Sequence, residues 1–216
     1  MQREDLFEAM ARSIIEGEAD AAADLARQAI EAGLDPLEAI DHGFVPGIDH
    51  VGREFSLENM FLPELVLAGE AMKAAIAVLE PEMQRTGAER EIHGTVVLAA
   101  AHGDIHDIGK SLVGTMLSAS GFRVFDLGVD VPVEAVVEKV REVNANLVGV
   151  SALLTTTMFG QREVIEALIA ADIRDRVKVM VGGAPVTPEW AAEIGADGFG
   201  EDAARAVSLA RELVGA

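Results

Sequence analysis

Asp104, His106 and Asp107 stand within four residues of one another, between Gly103 and Gly109, in the stretch A-H-G-D-I-H-D-I-G-K-S from Ala101 to Ser111. An imidazole is both a proton carrier near neutral pH and a common metal ligand. A carboxylate within reach takes its other ring N–H, fixes the tautomer and raises the basicity of the outward nitrogen. Gly109-Lys110-Ser111 also looks like the end of a phosphate-binding loop. The count fails there, because Asp104 stands where the first glycine of that loop belongs and Gly103 is one residue too far away. Two carboxylates would in addition repel a polyphosphate. A hydrolytic zinc site is a further reading of His102, Asp104, His106 and Asp107. Such a site draws three or four ligands, usually from distant segments, yet all five histidines lie at or before position 106 and the chain has no cysteine. The plainest reading is a polar turn whose side chains hydrogen-bond nearby backbone.

The turn follows a run of weakly polar and apolar residues, Thr95–Ala101, that reads as a strand buried on both faces. After it, Gly109 opens an amphipathic helix bearing Leu112, Val113, Met116 and Leu117. The carboxyl end of a buried strand, passing through a glycine-containing turn into a helix, is where open α/β sheets bind ligands. Further strands are expected near 122–127, 146–151, 177–182 and 197–199. The helical stripes between them include Val133, Val136, Val137 and Val140, then Ile165, Leu168 and Ile169. Five βα units imply a parallel sheet with helices on both faces.

Residues 3–85 read differently. Leu6, Met10 and Ile14 mark one helical stripe, and Ala22, Leu25, Ala29 and Ile30 a second. Leu37, Ile40, Phe44, Ile48, Val51 and Phe55 step by three and four along a third helix. Pro46 is expected to kink that helix near Gly43 and Gly47. A fourth helix begins at Phe61-Leu62-Pro63 and carries Leu65, Met72, Ile76, Leu79 and Met83. The expected organisation is a four-helix bundle over 1–85, a linker over 86–92 within the polar stretch Gln84–Ile92, and an α/β domain over 93–216.

The chain has 216 residues, with 17 basic against 37 acidic, a net charge of −20. That surface disfavours nucleic acid and anionic membranes as partners. The N-terminal residues lack the apolar core of a signal peptide and no apolar run reaches membrane-spanning length, so a cytoplasmic protein is expected.

Two later features bear on the turn. Ser151-Ala152-Leu153 ends the third expected strand and Gly182-Gly183 ends the fourth; 41 residues separate Gly109 from Ser151, and 28 separate Leu153 from Gly182. Asp-x-His-x-x-Gly, Ser-x-Leu and Gly-Gly at these separations resemble the cobalamin-binding signature of methionine synthase and of the corrinoid proteins of methyltransferase systems. The resemblance extends into the bundle, where F-L-P-E-L, Ala-Met-Lys and Leu-Glu-Pro resemble the helical cap of corrinoid methyl carriers. It covers nearly the whole chain. One departure is Ser56-Leu57-Glu58-Asn59, where relatives tend to have an acidic, glycine-containing turn.

The resemblance implies a flavodoxin/Rossmann-like five-stranded domain behind the bundle, and a cobalamin or related corrinoid as cofactor. It makes His106 the lower cobalt ligand, with Asp104 as its hydrogen-bond partner. A hydroxyl matching Thr157 completes the relay, though Thr155 and Thr156 adjoin it. Gly103, Ile105, Asp107 and Gly109 belong to the same loop. Ser151, Leu153, Thr155, Gly182 and Gly183 line a slot for the displaced nucleotide tail, with glycines admitting close backbone approach. Met60, Phe61 and Leu62 cover the upper face of the corrin, although Phe61 is equally readable as an ordinary staple between helices. Cobalt carries the chemistry, taking a methyl group and passing it on. With no residues left over for a substrate-activating domain, and no cysteine-based zinc site, the expected role is a methyl carrier. Its expected partners are a substrate-specific methyltransferase, an acceptor methyltransferase and a reductive activase. A cobalamin-dependent sensor, or the small subunit of an adenosylcobalamin mutase, is the alternative.

Overall fold

A computed structural model describes residues 3–86 and 92–215. The chain divides into two compact units, Met1–Glu91 and Ile92–Ala216.

The first unit is helical: α1 (Arg3–Ile15), α2 (Ala19–Glu31), α3 (Pro36–Glu38), α4 (Val45–Ser56) and α5 (Leu62–Thr86). Leu6, Met10 and Ile14 of α1 are buried, as their spacing requires. The small residues Ala22, Ala26 and Ala29 form the buried stripe of α2, which packs along α5. On α5 itself, Leu65, Met72 and Leu79 are fully buried. The expected third helix is interrupted. Asp35 caps α3 by accepting the Leu37 N–H, and a π-helical stretch, Ala39–Phe44, then joins α3 to α4. Pro46, in the first turn of α4, has no N–H to offer and would crowd the carbonyl four residues back. A wider turn just before it relieves that conflict, and the Val45 N–H bonds to the Ile40 carbonyl five residues back. The bend expected at Pro46 thus takes the form of a π turn. Gly43 and Gly47 serve α1: a Cβ on Gly43 would meet the Met10 sulfur, and one on Gly47 would stand 2.5 Å from the Ala11 carbonyl oxygen.

Helix α5 continues to Thr86, so Gln84, Arg85 and Thr86 are helical rather than linker. The rest of the expected linker, residues 87–91, lies outside the described residues.

The second unit alternates β1 (Gly94–Ala100), α6 (Ile108–Ala119), β2 (Phe122–Asp126), α7 (Val133–Val143), β3 (Leu147–Ser151), α8 (Phe159–Ala170), β4 (Lys178–Gly182), α9 (Pro188–Ile194), β5 (Gly198–Gly200) and α10 (Ala203–Val214). All strands are parallel, in the order β2-β1-β3-β4-β5. One sheet face presents Val97, Ala99, Val148, Val150, Val179 and Val181 to Val136, Val140, Val164, Ile165 and Leu168 of α7 and α8. Helices α6 and α10 pack together and against the strands. Chain connections leave β1 in one direction and return to β3 in the other. The crevice between the carboxyl ends of β1 and β3 is therefore the topological switch point, where doubly wound sheets take ligands.

Candidate functional site at the carboxyl edge of the sheet

The turn after β1 occupies that crevice. Asp104 is only 1% exposed, and both its carboxylate oxygens are fully engaged. Oδ1 accepts the His106 backbone N–H at 3.0 Å and faces His106 Nδ1 at 2.7 Å. Oδ2 accepts the Thr157 hydroxyl at 2.6 Å and the Leu153 N–H at 2.7 Å. One carboxylate thus joins the β1 turn, the segment after β3 and the approach to α8. Burial opposes its ionisation, but the donors Thr157, Leu153 and His106 outweigh that and hold the carboxyl well below the usual carboxylate range. An ionised Asp104 orients the ring. Nδ1 donates toward the carboxylate, which leaves Nε2 as the outward nitrogen. The His106 side chain is 45% exposed while its partner is sealed.

Of the three adjacent threonines, Thr157 reaches Asp104, and its oxygen also lies 3.0 Å from the Leu154 carbonyl. Thr155 and Thr156 are exposed in the same turn. Asp107 stands just before α6, with its carboxylate bonded to Lys110 Nζ at 2.7 Å and to the Ser111 hydroxyl at 2.8 Å. Lys110 is buried, and its ammonium also meets both oxygens of Asp126 at the end of β2. Two carboxylates consume the charge that a phosphate loop would need. Among the described residues, no three His, Asp or Glu side chains converge on a point that could hold a bare ion.

Sequence reasoning overlooked Asp130. Its carboxylate accepts the Gly103 N–H at 2.7 Å and pairs with His102 Nδ1 at 2.9 Å, while its own N–H donates to the Asp104 carbonyl at 2.8 Å. It holds a left-handed conformation, φ 49°. The available signal was the turn chemistry of Gly128-Val129-Asp130.

The paired glycines serve the chain's own packing first. A Cβ on Gly183, at φ 122°, would stand 1.9 Å from the Ala152 carbonyl oxygen, and one on Gly182 would stand 2.8 Å from the Gly200 carbonyl oxygen. Backbone approaches backbone here, which closes β4 against its neighbours beside Ser151 and Leu153. Gly109 is the opposite case, since a Cβ there would find no atom within 4 Å. Among the described residues nothing crowds that glycine, and Ile105 and Ile108 of the same turn are 72% and 75% exposed. Leu153 and Leu154 are exposed as well.

In the helical unit, Phe61 is 64% exposed and Leu62 is also exposed. The Phe61 N–H is capped by Glu64 at 3.0 Å. A ring so open is not a staple inside its own bundle. Glu58 takes a left-handed conformation, φ 60°, in the turn before Phe61.

A cofactor that brings its own equatorial ligands and an apolar rim fits these residues. One imidazole nitrogen is pre-oriented, among the described residues no group of three possible ligands stands with it, and the same loops carry exposed apolar side chains and an open glycine.

Comparison with known proteins agrees. Two models described as B12 binding domain match residues 94–208 and 6–80. A corrinoid protein of Desulfitobacterium hafniense is 45% identical over 211 residues, covering 97% of this chain and 98% of the relative. Dimethylamine corrinoid protein 2 of Methanosarcina mazei is 47% identical over 215 residues, covering 98% of each. Among solved structures, a chain of the methanol:cobalamin methyltransferase complex of Methanosarcina barkeri superposes with a TM-score of 0.86 at 34% identity, over 99% of this chain and 81% of that one.

Proposed function

We propose a working arrangement for this chain, which belongs to the B12-binding corrinoid proteins: it carries a methyl group on a corrinoid cobalt between two methyltransferases. When bound, the corrinoid supplies a cobalt that accepts a methyl group and gives it up again. The donor side is a small methylated compound of the kind in the relatives' names, amines or methanol. A reductive activase belongs to the same proposal.

The chain's own residues set the ligand. His106 Nε2 would be the protein's nitrogen ligand to the cobalt. Asp104 holds the proton at Nδ1, and Thr157 and the Leu153 N–H hold Asp104. Gly103, Asp107 and Asp130 shape the loop that carries the ring. Ile105, Gly109 and Leu153 offer the corrin an apolar and unobstructed edge. Ser151, Thr155, Gly182 and Gly183 are the tail contacts. Met60, Phe61 and Leu62 are contacts that the family resemblance alone supplies.

One observation carries the reading: a buried carboxylate with four donors fixes a single exposed imidazole at the β1–β3 switch point. The test is reconstitution with hydroxocobalamin, gel filtration and an absorption spectrum. Retained corrinoid with nitrogen coupling in the cobalt(II) paramagnetic resonance spectrum is expected, and His106→Ala should keep the corrinoid but lose that coupling. A colourless wild-type protein sinks the reading, and wild-type coupling in His106→Ala removes His106 as the ligand.

A further inference from the structure

The loop that carries His106 is gripped at both ends, and each grip leads to the residues that close β2 and follow it. On the entry side stands Asp130. Its carboxylate accepts the Gly103 N–H and its own N–H donates to the Asp104 carbonyl, so it holds the chain on both sides of the Gly103–Asp104 peptide bond. On the exit side stands Lys110, in the first turn of α6. Its side chain is 2% exposed, and its ammonium joins Asp107, the residue after His106, to Asp126 at the end of β2. Asp126 also accepts the Gly128 N–H at 2.9 Å, and the Gly128 carbonyl accepts the Ala100 N–H at 3.0 Å. The gripping segment is therefore anchored to β1 as well.

Between the two grips, among the described residues, the hydrogen bonds of Ile105 and His106 run to Asp104 alone. The place of the imidazole is thus set by where Asp104 and Asp107 are held.

Neither grip is what the fold alone would favour. Asp130 sits at φ 49°, in the left-handed region that glycine enters without steric cost. The side chain kept there reaches across to Gly103, 27 positions back, rather than bonding within its own turn. Lys110 puts a cation into the first turn of a helix, against the dipole. It also buries that cation, a desolvation that only close carboxylates offset.

We infer that Asp130 and Lys110 are positioning residues for the cobalt ligand: they hold the two ends of a short span, so that the His106 ring is presented at one place. The inference rests on the corrinoid reading above and deepens it. Neither residue is itself a ligand. Asp130 acts through Asp104 and Lys110 through Asp107.

Histidine labelled with nitrogen-15 separates the protein's imidazole from the cofactor's own base, because it alters the nitrogen splitting of the cobalt(II) paramagnetic resonance signal. Labelled wild type, Asp130→Gly, Asp130→Asn, Lys110→Met and Asp126→Asn are loaded with hydroxocobalamin and reduced to cobalt(II). Unlabelled imidazole is then titrated in as a competitor, and the midpoint at which the labelled splitting disappears is read per bound corrinoid. Asp130→Gly keeps the left-handed turn and removes the carboxylate. Its midpoint should fall about tenfold, the scale of one charged hydrogen bond. Asp130→Asn keeps an acceptor for Gly103 and tolerates the same backbone, so it should stay within about threefold of wild type. Lys110→Met keeps an apolar stem without the charge and should also fall about tenfold. Asp126→Asn should fall in the same direction, and it carries that half of the test should Lys110→Met fail to fold. Thermal midpoints of the unloaded proteins are measured alongside. Lowered thermal midpoints with unchanged competition midpoints overturn the inference and leave the corrinoid reading intact, since the two grips then only stabilise the fold. Equal losses in Asp130→Asn and Asp130→Gly overturn it too, because the acceptor for Gly103 is then not what positions the ring. A wild type that holds corrinoid without labelled splitting overturns His106 as the ligand, and this inference with it.

Discussion

Asp104 carries its charge in a place where only hydrogen bonds make ionisation favourable. Folding lowers its pKa, so the stability it contributes is complete above the unfolded carboxylate value of about 3.9 and drains away as pH falls toward the lower folded value. In urea titrations of the unloaded protein, the stability gap between wild type and Asp104→Asn should therefore narrow between about pH 5 and pH 3. Parallel curves would show that the carboxylate is not held as described. Thr157→Val tests the same network from outside. It strips one donor from a buried charge and should cost about 1–3 kcal/mol, whereas Thr157→Ser should recover most of that loss. The Asp104–His106 pair was legible in the sequence because its partners are two residues apart. Thr157 was one candidate among three neighbours, since the choice depends on how the turn before α8 faces β1. Lys110 left no such trace. A lysine on a helix reads as solvated until tertiary structure buries it.

The sheet strands were the most legible elements, because parallel strands covered on both faces are written as unbroken apolar runs. Observed ends fall within a residue of those expected, as with Leu147–Ser151 for 146–151. The third helix of the bundle was not legible as built. Its period of three and four survives the π turn well enough to look continuous, and only Pro46 marks the place. Close helix contact there makes a sharp prediction. Gly47→Ala must push α1 and α4 apart, at about 1–3 kcal/mol, visible as a lowered thermal midpoint. Gly109→Ala, at the start of α6, goes the other way. With nothing to strike, it should stabilise the unloaded protein by up to about 1 kcal/mol through helix propensity while weakening corrinoid binding. A variant that binds corrinoid as tightly as wild type would mean that the open side of Gly109 faces only water.

Across the molecule, the two halves were told apart by period: three and four up to Met83, buried runs from Thr95 onward. Phe61 shows where that kind of reading stops. Its type and position allowed a staple, and its exposure argues against one. Phe61→Ala should change stability by less than about 0.5 kcal/mol, whereas Phe44→Ala in the buried core should cost about 3–5 kcal/mol. Calorimetry of both variants decides it, and comparable losses would restore the staple. The exposed Ile105, Ile108, Leu153 and Leu154 have a consequence of a different kind. A newly made chain, before it is loaded, presents a sticky mouth to every copy of itself. At a net charge of −20 such copies repel one another over roughly a Debye length, about 8 Å at physiological ionic strength. The chain is in effect a charge-stabilised colloid until its apolar edge is covered. Concentrated salt should drive the unloaded protein to self-associate, reversibly on dilution, and loading with corrinoid should raise the salt concentration at which light scattering begins.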